Sequence, residues 1–100
     1  MKQDVFNQYV ERVLNLFNIE SKDFFSKSRK RELVDARQLV YYLCSKRPIT
    51  VNYIEKFMKE RGYDIHRTSI SHGVTIVSQK IAEDKDYKSI VQEIERAVHI

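Results

Sequence analysis

One hundred residues suffice for one domain with one modest core, and two glycines and one proline argue for helices joined by short turns. So few glycines exclude a glycine-rich phosphate loop, and the length leaves no room for an ATPase domain. The net charge of +4 is concentrated: between Ser26 and Arg47 seven basic residues face two acidic ones, which leaves +5 there and −1 elsewhere.

Residues 4–18 read as an amphipathic helix, with Val5, Phe6, Tyr9, Val10, Val13, Leu14 and Phe17 at three- and four-residue spacing. No apolar run approaches the roughly 20 residues of a membrane span, and the alternating N-terminus does not read as a signal peptide. A cytoplasmic setting is therefore expected. Ser21 can cap a short second helix with Phe24 and Phe25 turned inward. The basic segment 26–37 follows. Its run Ser26-Lys27-Ser28-Arg29-Lys30-Arg31 lacks apolar periodicity and reads as a loop.

Asp35 is the expected N-cap of a third helix over 36–47, with Leu39, Val40, Leu43 and Cys44 on its core face and Pro48 as its stop. Cys44 is the only cysteine, so no internal disulfide forms, and its apolar neighbours make it a buried small hydrophobe. Thr50 should cap a fourth helix, 51–61, with Ile54, Phe57 and Met58 inside. Gly62 then stands at the position that favours left-handed backbone. A fifth helix is predicted from His66 to Ala82. Asp84 or Asp86 starts a sixth, with Ile90, Val91, Ile94 and Val98 apolar. The class is all-α, about six helices in one domain over 1–100.

Helices four and five, about 50–82, have the layout of a helix–turn–helix. On the fifth, Ile70, Val74, Val77 and Ile81 share one stripe, and Gly73 beside it allows close packing. Thr68, His72, Thr75 and Gln79 fall opposite, flanked by Ser69 and Ser71, with Arg67 in the first turn. Ordinary solvent faces carry Glu and Lys, which favour helices, whereas Thr, Ser and His do not. Short hydroxyl side chains and an arginine suit base edges in a major groove. No acidic residue lies between Asp64 and Glu83 to repel phosphates. A solvated bundle face explains the helix equally well on composition alone. The adjacent basic run shifts the reading toward double-stranded DNA, by lining the backbone or entering a minor groove.

These residues resemble the C-terminal DNA-binding domain of DnaA, the bacterial replication initiator. That pattern has Ser-Lys and clustered arginines, then Arg-Gln on a helix, matched by Ser26 to Arg31 and by Arg37-Gln38. Its second helix–turn–helix element opens Asp-His-Thr-Thr-Val and soon reaches His-Ala, matched by His66-Arg67-Thr68-Ser69-Ile70 and His72-Gly73. The resemblance runs from about Val5 to Ile94. It implies a Trp-repressor-like helical bundle, minor-groove entry by Arg29, and base reading by His66, Arg67, Thr68, Ser71 and His72. Expected backbone contacts are Lys27, Lys30, Arg31, Arg37 and Gln38, with Thr50, Asn52, Ser69 and Thr75 on the helix–turn–helix. The departures are His66 and Arg67 in place of Asp and His, a longer turn before Ile65, and Ala36 in place of a proline. Arg67 therefore implies a different base preference.

The expectation is a stand-alone sequence-specific DNA-binding regulator of bacterial or phage transcription or replication, nucleoid-associated when bound. No cofactor, nucleotide, metal or membrane partner is expected, and any protein partner is unspecified. The alternative is a protein-interaction module on a DnaA-like scaffold, using Tyr41, Tyr42 and Tyr53 if exposed. Catalysis is disfavoured: His66, His72 and His99 form no metal motif, and no carboxylate pair accompanies them.

Overall fold

The computed structural model describes residues 1–98 of the chain, so the expectation for His99 lies outside the described residues. Six α-helices follow one another: α1 (Lys2–Phe17), α2 (Ser21–Phe24), α3 (Arg31–Ser45), α4 (Val51–Glu60), α5 (Arg67–Glu83) and α6 (Lys85–Ala97). Helix α3 lies at the centre, against α1 on one side and α5 on the other, with α2 and α4 also touching it. Its core residues Leu39, Val40, Leu43 and Cys44 are buried, as their spacing predicted, together with Phe6, Tyr9, Ile54, Ile70 and Val77 from the helices around it.

Turn chemistry explains most of the boundaries. Helix α1 ends on Asn18 in the left-handed region (φ 55°), with the Ile19 amide donating 2.9 Å to Leu14 O. Asparagine tolerates that conformation better than most residues. Helix α4 ends in a Schellman turn. Gly62 takes φ 89°, its amide donates to Lys59 O, and the Tyr63 amide donates to Met58 O. The Asp84 carboxylate caps α6 by accepting from the amides of Asp86 (2.9 Å) and Tyr87 (3.1 Å).

Several expected boundaries move. The third helix begins at Arg31, not 36, so the basic loop is Ser26 to Lys30 and Arg31 is already helical. Asp35 lies inside α3 and pairs with Lys80 of α5 at 3.4 Å instead of capping. The amphipathic stripe reaches back through Leu33 and Ala36, and that burial extends the helix through charged residues. Helix α3 also ends at Ser45, before the turn that contains Pro48. Glu20, not Ser21, occupies the N-cap of α2, and neither Glu20 nor Thr50 makes a side-chain cap bond. On α6, Ile90 is exposed while Val91 and Ile94 are buried.

Close approach of α3 and α5 positions the site. A Cβ added to Gly73 would lie 3.0 Å from Gln38 Cγ and 3.1 Å from Tyr41 Cδ2, so the absent side chain lets the helices meet. Among the described residues, no helix is long and apolar enough to cross a membrane.

Candidate nucleic-acid interface

Arg29 of the basic loop and the start of α5 line one open groove of about 500 Å³. Arg29 stands on one wall. His66, Thr68, Ser69 and His72 stand on the other, with Tyr41 and Tyr63 between.

The loop wall is built from beneath. Arg37 was expected to contact the DNA backbone, yet it is only 3% exposed. Its Nε donates to Phe24 O (2.7 Å), Nη1 to Ser28 O (2.8 Å), and Nη2 to Ser26 O (2.9 Å) and Asp23 O (3.3 Å). The guanidinium also lies 4.6 Å from the centroid of the Tyr63 ring, in the turn before α5. A buried side chain with four donors engaged does not reach a phosphate. Arg37 instead holds the loop and the turn in one arrangement. The serines knit the loop further: Ser26 Oγ donates 2.7 Å to Asp23 O and accepts from the Ser28 amide at 3.2 Å. Lys27, Arg29, Lys30 and Arg31 are exposed, and among the described residues none of them joins an ion pair.

The helix wall begins with its own cap. His66 is the N-cap of α5, and its Nδ1 accepts from the Thr68 amide at 3.1 Å. Asp64 lies 4.0 Å from Lys59 at the groove rim. Gln38 is half-buried and packs where Gly73 leaves space.

The remaining expected contacts stand outside the groove, on a second edge of the helix–turn–helix. Arg67 Nη1 donates 2.8 Å to Asn52 Oδ1, joining the first turns of α5 and α4. Ser71 and Thr75 continue this edge, both exposed, with Thr75 Oγ1 donating 3.2 Å to Ser71 O. Thr50 is exposed at the start of α4. The residues expected to read bases thus divide: His66, Thr68 and His72 on the groove edge, Arg67 and Ser71 on the other.

Tyr41, whose ring lies against Gly73, is buried at 2% exposure, and among the described residues its hydroxyl has no partner. Burial, with Tyr63 adding to it and Arg37 opposing, raises its pKa well above the phenolic range. The tyrosine surface for the interaction-module alternative is therefore not assembled. Tyr41 is buried and Tyr42 half-buried, while Tyr53, 40% exposed, carries Lys2 Nζ 4.3 Å from its ring centroid. Cys44 is buried, and burial pushes its thiol up to about 12. Among the described residues, no three His, Cys, Asp or Glu side chains gather as a metal site.

Two roles escaped the sequence. Arg37 as an anchor had a signal, since Leu33, Arg37 and Tyr41 fall on one helical stripe and an arginine on a core stripe is a candidate buried hub. Tyr63 had none, because its partner lies 26 positions away in sequence and no periodicity connects them.

The family described as bacterial DnaA protein helix-turn-helix matches residues 7–77. The chain is 32% identical over 91 residues to the chromosomal replication initiator protein DnaA of Sulfurimonas denitrificans, covering 91% of this chain and 20% of that protein. The protein of the same name from Bacteroides thetaiotaomicron is 32% identical over 80 residues, covering 79% and 16%. That of Limosilactobacillus fermentum is 32% identical over 74 residues, covering 74% and 16%. The chain spans 16–20% of the length of these curated relatives. No solved structure matches it.

Proposed function

The chain belongs to the bacterial DnaA helix-turn-helix family, and on that premise we propose that it binds double-stranded DNA sequence-specifically as a regulator of replication or transcription. The observation that carries this reading is the groove lined by Arg29 of the cationic loop and by the polar start of α5. The loop supplies charge for phosphates, and Arg29 at its tip suits a narrow minor groove. The α5 start supplies hydroxyl, methyl, imidazole and guanidinium groups for a major groove. Lys27 and Lys30 extend the phosphate contacts along the loop, Arg31 at the first residue of α3, and Thr50 and Asn52 at the start of α4. Arg67 reads a base on the second edge.

The test is an anisotropy titration on duplexes over a range of salt. Binding at low salt should weaken with a slope of about 0.9 log units per phosphate contact. A single preferred motif should emerge from a random duplex pool. Absence of binding at low salt, or binding with no preferred motif, overturns the reading.

A further inference from the structure

We infer that Asn52 is a positioning residue that fixes the Arg67 guanidinium and so sets which base that edge of the helix–turn–helix reads. The inference rests on the proposed major-groove reading and deepens it. Asn52 is in the first turn of α4 and Arg67 is the first residue of α5, so their 2.8 Å bond crosses the turn of the motif. Both side chains are exposed, and an exposed arginine ordinarily samples many rotamers. Tethering it to a second helix start removes part of that freedom before DNA arrives.

The bond also fixes the amide. Arginine only donates, so Asn52 must present Oδ1 to it. A free asparagine reads adenine by using its oxygen and its nitrogen together. Here the oxygen end faces Arg67, and among the described residues no protein group takes the Nδ2 hydrogens. Arg67 keeps its Nε–Nη2 edge whole for bidentate donation. Held by Asn52, that edge is matched to the acceptors N7 and O6 of guanine and mismatched to the amino group of adenine or cytosine.

The experiment selects duplexes from a random pool with the full chain. It then measures affinity for the selected site and its single-base-pair variants, using wild type, Asn52→Ala, Asn52→Asp, Arg67→Ala and the double alanine variant. Arg67→Ala should lose about 5- to 150-fold discrimination for guanine at one position. Asn52→Ala should lose discrimination at that same base pair. The double variant should discriminate no worse than Arg67→Ala, since the two act as a unit. Asn52→Asp retains the acceptor, so it should keep the guanine preference while binding every duplex more weakly.

Uniformly lower affinity in Asn52→Ala with discrimination intact would overturn the inference, as would additive effects in the double variant. A motif that changes with Arg67→Ala but not with Asn52→Ala sinks the role of Asn52 alone. A wild type that selects no motif sinks the major-groove reading and this inference with it.

Discussion

Arg37 and Arg67 sit on neighbouring parts of one surface and are held in opposite ways. Arg37 lies under the basic loop, 3% exposed, with four carbonyls on its guanidinium and Tyr63 against its face. Arg67 lies in the open, with one amide oxygen. The loop is thus shaped from inside by a buried residue, while Lys27, Arg29 and Lys30 stay exposed. Among the described residues, the polar side chains in the first turn of α5 are held by the His66 cap and the Asn52 bond, which leaves them exposed. On the proposed reading, charge built on a fixed underside suits backbone contacts, and side chains held lightly suit bases.

The largest effect expected follows from removing the underside. Arg37→Met keeps the stem and deletes every donor, leaving four carbonyls to find water. Stability should fall by about 2–4 kcal/mol in a denaturant titration, because hydrogen bonds to a charged group are among the stronger ones. Arg37→Lys should recover little of it, since a point charge cannot satisfy a fork of carbonyls. An equal loss from Arg67→Met would erase the contrast between the two arginines.

Alkali should act next, and on the packed side of the molecule. Burial, with Asp35 and Tyr42 adding to it, pushes Tyr87 up to about 12, and burial pushes Cys44 to about the same value. Both folded values lie above the usual ones, so folding favours the neutral forms. That stability is fully present below pH 9 for the thiol and pH 10 for the phenol, and is lost as pH rises toward 12. Midpoints of thermal unfolding should be flat to about pH 9 and fall beyond it, and Cys44→Ala should soften the first part of the fall. A decline beginning near neutrality would point to other groups.

The contrast between regions sharpens further on DNA. Arg29→Ala and Arg31→Ala should each flatten the salt slope by about one unit and weaken all sequences alike, apart from a minor-groove preference carried by Arg29. Thr68→Ala should leave the slope nearly unchanged and reduce discrimination at one base pair, by less than a bidentate arginine contact provides. Uniform loss in all three variants would mean that the surface does not divide its labour.

Sequence periodicity made the six helices legible, because each amphipathic stripe follows from which face is buried. Ile70, Val77 and Gly73 fell where the 3.6-residue repeat put them. Gly62 was legible because few residues take positive φ cheaply. What stayed hidden was long-range and polar. The start of α3 at Arg31 depends on Leu33 and Ala36 finding a core, which overrides the charge of the segment. The buried fork of Arg37 and the Asn52–Arg67 bond depend on residues brought together only by folding. Residue types suggested that this surface holds phosphate and base contacts, but could not separate the arginine that builds it from the one proposed to read.

The smallest effect tests how lightly the reading edge is held. The imidazole of His66 caps α5 through one nitrogen, accepting from the Thr68 amide at 3.1 Å. Aspartate, the residue the DnaA resemblance puts at this position, is a better cap and brings negative charge to the positive end of the helix dipole. His66→Asp should therefore raise stability by about 0.5 kcal/mol in a denaturant titration. The same carboxylate stands on the groove wall opposite Arg29, where it would repel phosphates. Affinity for random-sequence duplex should fall while stability rises. Opposite movement of the two measurements means that the cap trades helix stability for a cationic groove. If both rose together, the imidazole would contribute nothing to DNA that a better cap does not also supply.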